Sequence, residues 1–314
     1  MAAYVLAAVA LSSLAAGCGS IGAGDECSGA ACGSVDAAAG SADGAPEAQD
    51  AAPVTFRDPE IVEMLIDPVN DDDPSMTEDR LELYFNSSRA GGLGPPDIWR
   101  ATRNGPGQEW DAPEPVDELN STAAESDSEI SADGLTILFS STREPTVGGY
   151  DLYVSTRQTR DEPWGKIEAL TPLNSTVDDL GAATDASGTI LVFHSARGNT
   201  GRDLYMSTRA TPDDPWGDPE AMDGLNSELA DADPFLSPDG KTLYFNSTRI
   251  GGKGDSDIFV TSRATLDSFF ILPEPVDELN SEHGDADLSL TADGTRAVFT
   301  SDRSGNNEIW ESSR

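Results

Sequence analysis

The stretch that decides the fold is SPDGKTLYFNSTR at residues 237–249, followed by DIF at residues 257–259. Ser237-Pro238-Asp239-Gly240 predicts a turn, because proline presets φ and glycine tolerates positive φ. The apolar run Leu243-Tyr244-Phe245 predicts a strand that is buried on both faces. Asp257-Ile258-Phe259 predicts a further strand, so this stretch encodes a hairpin of two strands after a tight turn.

The same pattern recurs along the chain. Leu-Asn-Ser occurs at residues 119–121, 173–175, 225–227 and 279–281, with spacings of 54, 52 and 54 residues. A Ser-x-Arg tripeptide ends at five positions, namely Arg89, Arg143, Arg197, Arg249 and Arg303. A fixed period of this length is typical of a protein built from repeated supersecondary units.

Each repeat predicts four strands and no helix, since no stretch keeps a 3.6-residue period. Four antiparallel strands in roughly 50 residues are typical of a β-propeller blade. The three inner strands occur five times, but the outer Leu-Asn-Ser strand occurs only four times. The segment Phe56–Leu65 matches Phe270–Leu279, so we expect it to complete the last blade and close the ring without free edges. The prediction is an all-β, five-bladed propeller with four-stranded antiparallel blades over residues 53–314.

The motif at residues 237–259 resembles the repeats of the TolB-type, WD-repeat-like β-propeller family, and the resemblance covers nearly all of residues 55–314. The repeats of that family are used mostly as binding or accessory modules. The resemblance therefore implies a propeller without a catalytic set of residues.

The N-terminal region predicts export. Residues 1–17 carry an Ala/Val/Leu run typical of a signal peptide, and the ending Leu14-Ala15-Ala16-Gly17-Cys18 resembles the lipobox of bacterial lipoproteins. The resemblance implies that Cys18 carries the lipid; an ordinary signal peptide or a misplaced start codon is the alternative. Residues 18–52 contain almost only small and acidic residues, which predicts a flexible tether, and Cys27 and Cys32 form a local disulfide or remain idle thiols. The predicted location is the bacterial cell envelope, lipid-anchored, in the outer membrane or periplasm.

The charge excludes nucleic acid as a partner, because acids outnumber bases 57 to 19 and the net charge is -38. Membrane contact is expected only through the lipid anchor. Ten of the sixteen arginines recur at two fixed positions of the repeat, which indicates a structural role. They are the five Ser-x-Arg arginines and a second set, namely Arg103, Arg157, Arg209, Arg263 and Arg314. Arg249 and Asp257 flank one loop, and we expect either a structural ion pair across it or a hydrogen-bonded loop, as at Arg89/Asp97 and Arg143/Asp151.

An acidic-x-acidic pair precedes each first strand, with Gly181 replacing one acid. Residues two apart on a strand share a face, and first strands line a propeller's channel, so the sequence predicts an acidic ring at one channel mouth that serves as the binding site. Its members are Asp71, Asp73, Glu125, Asp127, Asp179, Asp231, Asp233, Asp285 and Asp287. Calcium suits such oxygen ligands, but we expect a solvated, partly arginine-paired rim and no cofactor.

No catalytic motif is present, since Gly-x-Ser-x-Gly, a P-loop and His-Glu-x-x-His are all missing. His194 occupies the position that Asn86, Ser140, Asn246 and Thr300 hold in other repeats, so we interpret it as a tolerated variant. His283 lies in a connecting loop.

The prediction is a monomeric, non-catalytic binding or scaffold module for an envelope protein or glycan. The alternative is a carbohydrate-active enzyme, a glycoside hydrolase or lyase, for which the sequence singles out no carboxylate pair.

Overall fold

The computed structural model describes residues 55–198 and 201–314, which fold into five four-stranded antiparallel sheets. The chain begins with β1 (Glu60–Ile61) and a 3-10 turn, Glu63–Leu65. Blade 1 contains β2 (Asp71–Met76), β3 (Glu82–Ser87), β4 (Asp97–Thr102) and β5 (Glu114–Pro115). Blade 2 contains β6 (Glu125–Ile130), β7 (Thr136–Ser141), β8 (Asp151–Thr156) and β9 (Glu168–Ala169).

Blade 3 contains β10 (Asp179–Thr184), β11 (Ile190–Ser195), β12 (Asp203–Thr208) and β13 (Glu220–Ala221). Blade 4 contains β14 (Asp231–Leu236), β15 (Thr242–Ser247), β16 (Asp257–Ser262) and β17 (Glu274–Pro275). Blade 5 contains β18 (Asp285–Leu290), β19 (Arg296–Ser301), β20 (Glu308–Ser313) and, as its outermost strand, β1. The first strand of every blade contacts the first strand of the next, including β18 against β2, so the ring is closed. The predicted five-bladed propeller is confirmed.

Ring closure depends on β1. Ile61 is paired with Trp310 and Glu60 with Glu311, and the N–H of Arg57 donates to the carbonyl of Ser313 over 2.8 Å. These contacts protect the backbone groups of β20, which would otherwise form an open sheet edge. The prediction that the N-terminal segment completes the last blade is therefore confirmed.

The core lies between the blades and is built from the second strands. One phenylalanine per blade is at most 1% exposed: Phe85, Phe139, Phe193, Phe245 and Phe299. Burial of a side chain of this size contributes about 1.5–3 kcal/mol. The apolar runs after the turns are thus buried on both faces because each sheet is covered by two neighbouring sheets.

The repeated asparagine and arginine hold the blades in register. Asn280 accepts the N–H of Ile258 through Oδ1 at 2.9 Å and donates from Nδ2 to its carbonyl at 2.9 Å, and the same pattern recurs at Asn120. Four of the five Ser-x-Arg arginines donate to the leucine carbonyl of the preceding Leu-Asn-Ser segment, as in Arg249 to Leu225 over 2.8 Å, and Arg89 donates to the carbonyl of Leu65. These two motifs are therefore structural, as the repeat pattern indicates.

Of the two expectations for Arg249 and Asp257, the ion pair is wrong and the hydrogen-bonded loop is confirmed. Asp257 instead accepts the backbone N–H groups of Lys253 and Gly254, each over 3.0 Å. Arg249 turns to the first strand, where its Nη2 lies 2.5 Å from Oδ1 of Asp231. The carboxylate caps its own tight loop because that loop presents two N–H groups that no strand partner satisfies.

In residues 55–198 and 201–314 no helix is long and apolar enough to cross a membrane, and the only helical element is the 3-10 turn. The near absence of helices is thus confirmed for this part of the chain. The proposed signal peptide at 1–17, the lipidated Cys18 and the tether at 18–52 lie outside the described residues.

Candidate functional site

A β-bulge in every first strand shapes the centre of the propeller. In β2 the register shifts between Asp72 and Ser75, and the other first strands shift at the equivalent place. The bulged residues have left-handed backbones, with φ of 55° at Asp73, 50° at Asp127, 62° at Gly181, 46° at Asp233 and 53° at Asp287. Aspartate tolerates this region better than most residues. The bulge breaks the strict alternation of faces, so the expectation that both acids of each pair point to one face is wrong.

The first acid of each pair is part of the blade. These five side chains are fully buried and each is ion-paired with the Ser-x-Arg arginine of its own blade: Asp71 with Arg89, Glu125 with Arg143, Asp179 with Arg197, Asp231 with Arg249 and Asp285 with Arg303. Asp231 also accepts the Ser247 hydroxyl at 2.6 Å and the Ser227 N–H at 2.6 Å. Five of the nine predicted ring members are therefore not on the channel surface and are not free to bind a ligand.

The second acid of each pair lines the channel. Asp73, Asp127, Asp233 and Asp287, together with Gly181, surround a central cavity of about 40 Å³. Four of the nine predicted ring members thus converge around this cavity.

Burial is the largest influence on these inner acids. Burial and the charge of Asp233 raise the pKa of Asp73 to about 7. Burial and the neighbouring carboxylates raise the pKa of Asp127 and of Asp287 well above the ordinary value. Burial also acts to raise the pKa of Asp233, but the charge of His194 when it is protonated, the charge of Arg202 and hydrogen bonds from Asp127 and Asp287 outweigh it, so the pKa of Asp233 is lowered. The cluster therefore favours the ionised form more at Asp233 than at its three neighbours.

Blade 3 breaks the symmetry of this cluster at two positions together. Gly181 replaces the inner aspartate, and a Cβ at that residue would lie 2.8 Å from Nδ1 of His194. His194 is 1% exposed, and its Nδ1 lies 3.2 Å from Oδ1 of Asp233. The imidazole thus lies against the position of the missing carboxylate, while His194 keeps the blade position that Ser140 and Asn246 hold in their blades. The paired change at residues 181 and 194 is the signal in the sequence that could have identified this contact.

One group of residues in this cluster has the spacing of a metal site. Asp127, His194 and Asp233 each offer a ligand atom, and the three atoms lie within 4.8 Å of one another. Burial lowers the pKa of His194, so the imidazole is neutral and has a lone pair for a cation. This donor set fits a divalent cation.

A larger pocket lies beside the cluster, between blades 4 and 5. Its volume is about 380 Å³, and Asp233 and Asp287 belong to its wall. The polar side chains on the other walls are Arg202, Asn246, Ser256, Thr300, Asp302 and Asn307. No aromatic side chain lines it. The sequence analysis missed this pocket, because its walls come from positions that differ between blades.

The pocket exists because a contact between neighbouring blades is missing. In blade 2, Oγ of Ser140 accepts the N–H of Gly181 at 3.3 Å, and in blade 3, Nδ1 of His194 accepts the N–H of Asp233 at 3.2 Å. At the equivalent positions of blades 4 and 5, Oδ1 of Asn246 and Oγ1 of Thr300 are buried and have no hydrogen-bond partner. Two buried acceptors therefore stand in a pocket wall with unsatisfied hydrogen-bonding capacity.

His283 lies away from the channel cluster. It is exposed, and its Nδ1 is 3.6 Å from Oδ1 of Asp302, which also accepts the N–H of Gly284 at 2.9 Å. Its position in a connecting loop matches the prediction.

No protein-family model matches the chain, and no curated protein matches it. Solved structures do. A structure described as the putative TolB from Agrobacterium tumefaciens is 19% identical with a TM-score of 0.50, over 79% of each chain. TolB from Acinetobacter baumannii is 15% identical with a TM-score of 0.52, over 80% of this chain and 55% of that one. The endo-arabinase from Bacteroides thetaiotaomicron VPI-5482 is 13% identical with a TM-score of 0.56, over 83% of this chain and 98% of that one.

These likenesses concern the fold, because all three identities are low. They support the resemblance to TolB-type propellers at the level of architecture. The chain is similar both to proteins named TolB and to a protein named an endo-arabinase, so it shares a propeller scaffold that carries different functions.

Proposed function

We propose that this protein is a non-catalytic binding module of the bacterial cell envelope that holds a glycan in the pocket between blades 4 and 5. The observation that carries the proposal is the polar lining of that pocket, to which Arg202, Asn246 and Thr300 belong. Asn246 and Thr300 each also hold a buried oxygen without a hydrogen-bond partner, which is rare in native proteins. A hydroxyl-rich ligand in the pocket forms hydrogen bonds with these polar side chains.

The size and polarity of the pocket support this ligand class. Its volume of about 380 Å³ lies within the common range of small-ligand sites, about 300–1,000 Å³. Its walls contain both hydrogen-bond donors, such as the guanidinium of Arg202, and hydrogen-bond acceptors, such as the carboxylate of Asp302. Such a lining matches a sugar, which donates and accepts hydrogen bonds at every hydroxyl.

Binding is measured by calorimetry with a panel of soluble cell-envelope and plant polysaccharides. Loss of one neutral hydrogen bond costs about 0.5–1.5 kcal/mol, which is a roughly 2- to 10-fold weaker affinity. We expect this loss for Thr300→Val and for Asn246→Ala. Thr265→Val, at an exposed position outside the pocket, is the matched control and leaves the affinity unchanged. Equal binding by all three variants would refute the pocket as the site.

The proposal of a module without catalysis is supported by the geometry of the inner acids. A glycoside hydrolase needs two carboxyl groups about 5–9.5 Å apart on either side of a sugar ring. Here the cavity between the inner acids is about 40 Å³, close to the volume of a single water molecule of about 30 Å³. A sugar ring does not fit in that cavity, so of the inner acids only Asp233 and Asp287, which also line the larger pocket, would meet a glycan.

The alternative of a carbohydrate-active enzyme makes a different prediction for the same polysaccharides. Sustained release of reducing ends, abolished by Asp233→Asn or Asp302→Asn, would replace the binding module with a glycoside hydrolase. A lyase would release unsaturated ends, which are detected by ultraviolet absorption.

A protein partner is the second candidate ligand, and one surface favours it. On the outer side of blade 4, Phe269 is 97% exposed and Leu272 is 82% exposed, with Ile271 between them also exposed. Large exposed apolar side chains that cluster often mark a protein interface. Phe269→Ser with Leu272→Ser removes capture of a protein partner from envelope extracts and leaves glycan binding unchanged, if such a partner binds here.

Lipid anchoring through Cys18 forms part of the proposal and rests on the N-terminal sequence. Cys18→Ser should move the expressed full-length protein from the detergent phase to the aqueous phase on partitioning. Cys27→Ser and Cys32→Ser are matched controls that remain with detergent. If Cys18→Ser partitions like the unchanged protein, the protein is not a lipoprotein and is only secreted.

A further inference from the structure

We infer that Asp127, His194 and Asp233 bind one divalent first-row transition-metal ion, with Zn²⁺ as the best-matched species, inside the channel. This site is separate from the glycan pocket, although Asp233 belongs to the boundary between them. The three ligands come from blades 2, 3 and 4, so the ion joins three neighbouring blades at the axis.

The geometry brings the three side chains together before any ion is present. Their ligand atoms lie within 4.8 Å of one another, and the imidazole and the Asp233 carboxylate are in contact at 3.2 Å. Metal–ligand bonds of about 2.0–2.2 Å require these atoms to move closer together around the ion. The fold therefore brings the three side chains to one place, and the ion completes the contraction.

Two atoms of the site have no other role in the fold. Oδ2 of Asp127 and Nε2 of His194 are buried and have no hydrogen-bond partner among the described residues. Asp127 is 8% exposed and His194 is 1% exposed, so bulk water does not satisfy them. A bound cation with its remaining water ligand explains why two such groups are kept in the interior.

The imidazole decides which metal is favoured. Calcium takes six to eight oxygen ligands, whereas imidazole with carboxylate favours zinc and its first-row neighbours. The channel cavity of about 40 Å³ has room for few water ligands beside the ion, which favours a four-coordinate site over the six to eight ligands of calcium. Gly181 stands where the four other blades have an aspartate, and His194 contacts it, so this part of the channel has a mixed nitrogen and oxygen donor set.

Neighbouring groups fix the orientation of the ligands. Oδ2 of Asp73 accepts the N–H of Asp127 at 2.9 Å, which holds the bulge that points Asp127 inward. In the ion-bound state the proton of His194 lies on Nδ1, which donates to Oδ1 of Asp233 at 3.2 Å instead of accepting the Asp233 N–H, and the lone pair of Nε2 is available to the ion. Contacts of this kind orient metal ligands in known sites, and their loss commonly costs about 10- to 100-fold in metal affinity.

The test is a titration of the purified, tag-free chain after removal of metals with a chelator. Zn²⁺, Mn²⁺ and Ca²⁺ are titrated separately by calorimetry, and stoichiometry is checked by native mass spectrometry. We expect one Zn²⁺ per chain, bound at least 10-fold more tightly than Ca²⁺. Crystals soaked in zinc chloride should show an anomalous peak at the zinc edge between Asp127, His194 and Asp233.

Variants separate this site from adventitious binding. His194→Asn introduces the residue found at this position in blades 1 and 4, so the blade has a precedent for it, and it should weaken Zn²⁺ by at least 10-fold. His283→Asn changes the exposed histidine beside Asp302 and should leave the affinity unaltered. Should His194→Asn fail to fold, Asp127→Asn provides the same comparison.

The inference is overturned by any of three results. These are the absence of stoichiometric Zn²⁺ binding, equal Zn²⁺ affinity in a folded channel variant, and an anomalous peak at His283. Glycan binding through Asn246 and Thr300 is measured in the same preparations with chelator present, so failure of the metal site and failure of the proposed function are distinguished.

Discussion

The arginine that pairs with the buried Asp231 of blade 4 offers a direct test of the structural role of the first acid in each pair. Arg249 donates from Nη2 to Asp231 at 2.5 Å and to the Leu225 carbonyl at 2.8 Å, and from Nε to Ser247 at 2.9 Å. Its guanidinium also lies 4.9 Å from the centre of the Phe245 ring. Arg249→Met keeps much of the apolar stem but removes the charge and all three hydrogen bonds.

The expected cost follows from the burial of the partner that remains. Asp231 is fully buried, so the variant leaves an uncompensated carboxylate in the interior. Breaking a buried pair in this way costs about 3–5 kcal/mol, compared with about 0–1 kcal/mol for an exposed pair. With a urea slope of about 2–3 kcal/mol per molar, the unfolding midpoint should fall by about 1–2 M.

The assay is urea unfolding followed by far-ultraviolet circular dichroism. Arg249→Met with Asp231→Asn removes both charges and should recover at least half of the lost stability. Lys241→Met is the matched control, because Lys241 pairs with Asp239 at 3.9 Å and both side chains are exposed. A loss of unfolding free energy below about 1 kcal/mol for Arg249→Met, similar to that of the Lys241→Met control, would refute the structural role of the first acid in each pair.

Three further predictions test the closure, the channel and the blade register. Deleting residues 53–66 removes β1 and should abolish cooperative unfolding, so a cooperative transition in that variant would contradict ring closure. Burial raises the pKa of Glu129 to about 8, and the folded state therefore binds this proton more tightly than the unfolded state. The melting temperature should fall as pH rises from about 4.5 to 8, and this fall should be smaller in Glu129→Gln. Glu168→Gln, at an exposed position, is the control and should show the same pH dependence as the unchanged protein. An equal pH dependence in Glu129→Gln and the unchanged protein would contradict the prediction. Asn280→Ala leaves the buried N–H and carbonyl of Ile258 without partners and should lower the free energy of unfolding in urea by about 1–3 kcal/mol. A change near zero would contradict the structural role of the two hydrogen bonds between Asn280 and Ile258.

The sequence by itself determined the architecture, because strand pairing within a blade follows from local patterns. A turn such as Ser237-Pro238-Asp239-Gly240, the apolar run after it and the fixed period define each blade, and the missing fourth strand points to Phe56–Leu65 as the closing element. The structural role of the repeated arginines was also predictable, since a residue that recurs in every blade serves what the blades have in common.

Only the tertiary structure decided which acidic side chains contact one another in the channel and which other residues they contact. The left-handed bulge at residues such as Asp127 separates the two acids of each pair, and a pattern of alternating faces does not reveal a bulge. The contact of His194 with Asp233 joins two blades, and the pocket near Asn246 arises where the equivalent contact is missing. Such contacts depend on how five sheets converge on one axis, where small differences in each backbone add up. Strand pairing is fixed within one repeat by hydrogen bonds between neighbours in sequence, whereas the centre of the propeller is formed by side chains from all five repeats at once.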